Sequence, residues 1–135
     1  IIEKGKNYGW RAMEATHVFD ESLQASVGNT VPPIDEYPHS VGNSITGGYV
    51  YRGKGIPALQ GKYVFADWAG KVFSLEKRGD KWQRQNLALN GVEDLRVNSL
   101  GEDENGELYL LTQREVGANS NTGTVYRITG GGGNQ

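Results

Sequence analysis

The alternation of apolar and polar positions is uneven along the chain. The first 35 residues show no sustained period: a turn-rich opening (Gly5-Lys6-Asn7-Tyr8-Gly9-Trp10), a polar stretch and the stiff pair Pro32-Pro33. That texture predicts a long connection anchored by Tyr8 and Trp10, of a length that in compact proteins often carries function. From Ile45 onward the pattern changes to short runs that alternate or stay apolar for five to eight residues. Residues 46–52, 62–68, 71–77 and 82–89 are such runs, each bounded by Gly, Pro, Asp or Asn, and they predict a four-stranded antiparallel meander. Ala69-Gly70 leaves room only for a tight hairpin between the second and third. Residues 95–101, 107–112 and 123–129 begin a second series that stops at three strands.

The two series repeat each other. "GKYVFADWAGKVFSL" (61–75) and "GELYLLTQ" (106–113) with "TGTVYRI" (122–128) share the order Gly, polar residue, apolar run, loop, Gly-x-Val-aromatic. Self-similarity at about 45–50 residues is the spacing of β-propeller blades, each a four-stranded sheet that completes its core only against neighbours. The expected organisation is therefore all-β. Residues 1–44 form an inter-blade connection and mouth loop, 45–90 a complete blade, 91–129 three strands of a terminal blade, and 130–135 a Gly-rich tail. A propeller often closes its last blade with a strand from elsewhere in the chain, which removes an aggregation-prone edge. The opening at Ile1 without Met fits a processed or excised piece.

Composition narrows the function. The hydrophobic fraction is 36%, Gly supplies 20 residues and the net charge is −2 with Lys and Arg scattered, so no basic patch speaks for nucleic acid or an anionic membrane. No apolar run approaches the ~18 residues of a membrane-crossing helix. Without Cys there are no disulfides or thiolate metal sites. Phosphate-binding glycine loops, nucleophile elbows and zinc spacings are absent from the sequence.

Several residues remain as candidates. Tyr37-Pro38-His39 joins an aromatic face to an imidazole, a side chain type that titrates near neutrality; the alternative is a packing Tyr and a loop His held by a carbonyl. Arg96 carries a planar guanidinium suited to a carboxylate, unless it pairs with Glu93 or Asp94. Trp68 lines a mouth or wedges between blades. His17 reads as a surface or packing residue. The acidic run Glu102–Glu107 lacks the length and closing Glu of a calcium loop, and Asn105-Gly106 within it is a hairpin signal. Gly47-Gly48 predicts close approach near a central channel.

Asn7-Tyr8-Gly9-Trp10, "YPHSVGNSITGGYVYRG" (37–53), "GKYVFADWAGKVFSL" and "SLGEDENGELYLLT" (99–112), in this order, resemble one superfamily. It comprises the soluble sugar dehydrogenases that use pyrroloquinoline quinone (PQQ) and the ectodomains of hedgehog-interacting-like proteins. The resemblance spans residues 5–129. It implies the C-terminal part of a six-bladed propeller and, on the enzyme branch, oxidation of an aldose to its lactone in a periplasmic or secreted protein. It further implies PQQ held at the mouth by Tyr37, His39, Trp68 and Arg96, with calcium ligands and the catalytic His in blades before Ile1. His39 and Ser40 stand where the enzymes usually have a Trp, and Asn98 where they have a second Arg. The implied partners are a sugar and the remaining blades or identical chains. The other branch implies a non-catalytic binding propeller, and a third reading is a short chain that self-assembles into a ring.

Overall fold

A computed structural model describes residues 2–117 and 119–131. It divides into two compact units, Ile1–Glu36 and Tyr37–Gln135.

The first unit is more structured than its missing periodicity predicts. A two-residue hairpin, β1 (Met13–Glu14) with β2 (His17–Val18), is followed by a single helical turn, α1 (Glu21–Gln24). Asp20 caps α1 by accepting from the Ser22 amide, and it pairs with Arg11 at 3.0 Å. Glu36 accepts from the amide and hydroxyl of Thr16 and lies 3.6 Å from His17. Elements this short show no period, so they escape a pattern search. The expected anchoring by Trp10 is not seen within this unit: Trp10 is 71% exposed and rests on Phe19, ring centroids 5.0 Å apart.

The second unit contains the two predicted sheets, with strand ends within two residues of expectation. β3 (Ile45–Val50), β4 (Tyr63–Asp67), β5 (Lys71–Arg78) and β6 (Lys81–Leu87) form an antiparallel meander in sequence order. β7 (Arg96–Glu102), β8 (Leu108–Gln113) and β9 (Thr124–Arg127) form a three-stranded one. The protein is all-β with two blade-like sheets, as a partial propeller has. The internal repeat holds to the residue. Phe65 pairs Phe73 as Leu110 pairs Tyr126, and Ala66 pairs Val72 as Leu111 pairs Val125. Each first strand bulges at the same place, Thr46 being the extra residue in β3 and Asn98 in β7.

Alternation explains the core. Val64, Ala66 and Val72 of the first sheet, Tyr51 just past the end of β3, and Val97, Leu100, Leu108 and Leu110 of the second sheet bury one shared cluster, while β3 lies against β7. The opposite face of the first sheet carries Phe65, Phe73 and Leu75, covered by Tyr37, Val41, Tyr63 and Trp82. On the second sheet that face is open, with Val125 64% exposed and Leu111 exposed beside it. Gly47-Gly48 does permit a close approach. Gly47 takes φ +97° at the bulge, and a Cβ on Gly48 would lie 2.7 Å from Phe65 Cβ. The close approach is to the neighbouring strand β4.

Candidate functional site

One end of the two sheets gathers the loop before β3, the β4–β5 turn, the start of β7 and the end of β8. Pairing puts Ile45 opposite Asp67 and Arg96 opposite Gln113 there. At this end Asp67, the last residue of β4, is 0% exposed. Its carboxylate accepts from the Tyr37 hydroxyl (2.8 Å) and from the amides of Asn43 (3.0 Å), Ser44 (3.0 Å) and Ala69 (2.8 Å). Burial alone would push this carboxyl up; the donors from Ala69, Asn43, Tyr37 and Ser44 outweigh it and hold it below its ordinary value. The neighbouring Trp68 amide donates to the Ser44 carbonyl at 2.8 Å, and the Lys71 ammonium donates to the Val41 carbonyl. Residues 37–44 are thus sewn onto the β4–β5 turn.

The four residues singled out from sequence fall into this frame unequally. Arg96 and Trp68 meet: the guanidinium lies over the indole, 5.0 Å from its centroid, a contact of about 0.5–1 kcal/mol at partly exposed sites. Arg96 also donates to the Leu95 carbonyl at 3.1 Å, and its Nε is buried with no acceptor. Glu93 and Asp94, the expected ion-pair partners, do not hold it among the contacts described. Tyr37 is committed differently from a free stacking face. Its hydroxyl donates to Asp67, its ring packs on Phe73 (5.4 Å), and Arg84 lies 4.8 Å over it. His39 is exposed at the crest of the loop.

The opposite end is closed by a second carboxylate. Glu107, 5% exposed, accepts from the Tyr51 hydroxyl (2.8 Å) and the amides of Lys54 (3.0 Å) and Gly55 (2.8 Å). The Gly55 amide and Tyr51 hydroxyl hold its carboxyl below its ordinary value despite burial. The acidic run before it is a turn. Asp103 accepts from the amides of Asn105 and Glu107, both at 2.9 Å, and Gly106 takes φ +76°. Neither carboxylate stood out in the sequence. The signal was there as a break in the repeat: Asp67 aligns with Thr112, and Glu107 with Lys62.

Comparison with known proteins converges on one family. The glucose/sorbosone dehydrogenase family matches residues 1–128. The HIPL1 protein of Arabidopsis thaliana is 32% identical over 86% of this chain and 21% of its own length. The Hedgehog-interacting protein of Mus musculus is 30% identical over 72% of this chain and 15% of its own length. The chain therefore spans about a fifth or less of these curated relatives.

Proposed function

Since the chain belongs to the glucose/sorbosone dehydrogenase family, we propose that its Asp67 end forms one wall of a PQQ pocket in an aldose-oxidising propeller. The observation that carries this reading is Arg96: a cation braced on Trp68, with a buried Nε that lacks an acceptor. An unpaired buried donor is costly, and a ligand carboxylate beside it removes that cost. The donor chemistry fits a quinone tricarboxylate. Arg96 would take one carboxylate, Trp68 would keep the guanidinium plane fixed, and His39 would offer a hydrogen bond from the loop. Bound PQQ would supply a two-electron acceptor, and these residues would orient it and exclude water. Calcium and a catalytic base would come from other blades, and the protein would be periplasmic or secreted.

The remaining blades, or identical chains, are the proposed partners of the open sheet face at Leu111 and Val125. An apolar groove of about 540 Å³ lined by Ile56, Leu87, Leu89, Tyr126 and Ile128 lies between the sheets and leaves further surface for them. A second reading, a binding propeller without catalysis, is favoured by the names of the HIPL1 and Hedgehog-interacting relatives and by Asn98 standing where a second cation is expected.

Titrating the full-length protein with PQQ and calcium, followed by a dye-linked aldose oxidation assay, separates the two. Saturable binding that Arg96→Ala weakens by about 10- to 100-fold supports the pocket, since a charge-assisted hydrogen bond contributes roughly 1.5–3 kcal/mol. Absence of saturable binding favours the binding propeller.

A further inference from the structure

The role of Asp67 goes beyond the wall that Arg96 and Trp68 provide. We propose that Asp67 is a positioning residue: without touching ligand, its carboxylate fixes the 37–44 loop that presents His39. This rests on the pocket reading for its functional meaning, and on geometry for the rest.

The blade frame does not require an acid at this position. Thr112 occupies the same place in the second sheet, paired to Thr124 as Asp67 is paired to Lys71. Its hydroxyl simply donates to the Thr124 carbonyl at 3.0 Å, and the hairpin there forms without a charge. Burying a carboxylate is costly unless donors surround it, and three of the four donors on Asp67 come from the loop. The loop is in turn moulded on the carboxylate. A Cβ on Gly42 would lie 2.7 Å from Asp67 Cγ and 2.8 Å from Tyr37 Cε2. Full burial keeps Asp67 from any ligand, so its influence must pass through the loop.

The test uses the full-length protein and three variants: Asp67→Thr, which installs the residue of the second sheet; Asp67→Asn, which keeps one acceptor oxygen; and Gly42→Ala, which displaces the loop with the carboxylate intact. Amide hydrogen exchange is followed at Asn43 and Ser44, and at Val64 and Phe73 in the β4–β5 hairpin. PQQ affinity and melting temperature are measured alongside. In Asp67→Thr and Gly42→Ala, exchange at Asn43 and Ser44 should rise at least about tenfold with the hairpin unchanged, and PQQ affinity should fall about tenfold, beyond any change that melting explains. Asp67→Asn should lie between. Equal acceleration in the hairpin would make Asp67 merely structural, and an unchanged loop, or a loosened loop with unchanged PQQ affinity, would overturn the proposal. If the unsubstituted protein binds no PQQ, the pocket reading fails, and the exchange contrast alone then decides whether Asp67 orders the loop.

Discussion

The two ends of the sheets use one device to different effect. At each, a buried carboxylate accepts from a tyrosine hydroxyl and from consecutive backbone amides of a neighbouring loop. Glu107 does so for Tyr51, Lys54 and Gly55, and Asp67 for Tyr37, Asn43 and Ser44. At the Glu107 end the carboxylate and its tyrosine are both closed in: Glu107 is 5% and Tyr51 1% exposed, and Tyr51 belongs to the shared core. At the Asp67 end Tyr37 is only half-buried, His39 is exposed, and Arg96 keeps an unpaired Nε. The device locks a loop in both cases. What differs is the tyrosine: Tyr51 sits in the core that both sheets share, whereas Tyr37 stays half-buried on the loop that carries the exposed His39.

The closed end should be the costlier to damage. Leu108 adjoins Glu107 and is fully buried in the cluster that both sheets share, so Leu108→Ala should cost about 2–5 kcal/mol, measured by denaturant unfolding. A cost below about 1 kcal/mol would mean that the two sheets do not share one core. Next comes a matched pair of turn glycines. Gly61 and Gly106 are equivalent in the repeat, and both take φ +76°, so a valine at either should add strain of about 1–3 kcal/mol. Around Gly61 there is open space, whereas a Cβ on Gly106 would lie 2.8 Å from the Gly53 nitrogen. Gly106→Val should therefore be clearly worse than Gly61→Val, and equal costs would remove the packing difference between the turns.

Acid should then test both clamps together. The carboxyls of Asp67 and Glu107 are both held below their ordinary values in the fold. Their contribution is thus present above the unfolded-state values near pH 4 and is lost as pH falls through the lower folded values. Thermal melting should drop on acidification below about pH 4. Asp67→Asn and Glu107→Gln should each lower stability at neutral pH and flatten that dependence. An unaltered acid slope in both variants would show that the clamps are not what titrates.

Much of this frame could be read in the sequence, and the clamps could not. Runs such as "KYVFAD" and "KVFSL" announce strands because β-branched and aromatic residues alternate over lengths that no turn interrupts. The matched glycines gave the repeat, and Asn105-Gly106 the turn. Arg96 and Trp68 are separate candidates in the sequence, and their contact depends on the β4–β5 turn of one sheet meeting the start of β7 in the other, which no local pattern encodes. Asp67 reads only as one polar residue in the run 62–68, and Glu107 only as part of an acidic run. Apart from the Ala69 amide, their partners lie 23–30 and 52–56 residues away, and a carboxylate at a strand end carries no mark of the donors that will surround it. For Tyr37 the sequence leaves a stacking face and a packing aromatic both open; the ring packs on Phe73, and nothing in an aromatic on a loop hints that its hydroxyl is already engaged.

The finest probe of the comparison is the pair of tyrosine hydroxyls, removed one at a time. Tyr51 donates to Glu107 and also accepts from the Ile56 amide at 2.9 Å. Tyr51→Phe therefore breaks two hydrogen bonds inside the core and leaves the Ile56 donor without that acceptor. Unsatisfied buried donors cost about 1–3 kcal/mol. Tyr37→Phe removes one bond from a carboxylate that retains three amide donors, at a half-buried position where water can substitute. Its cost should stay near the ordinary net value of a hydrogen bond, about 0.5–1.5 kcal/mol, while the ring keeps its contact with Phe73. Denaturant unfolding of the two variants side by side should rank Tyr51→Phe above Tyr37→Phe. The reverse ranking would place the tighter clamp at the Asp67 end, leaving the closed end as the one with slack.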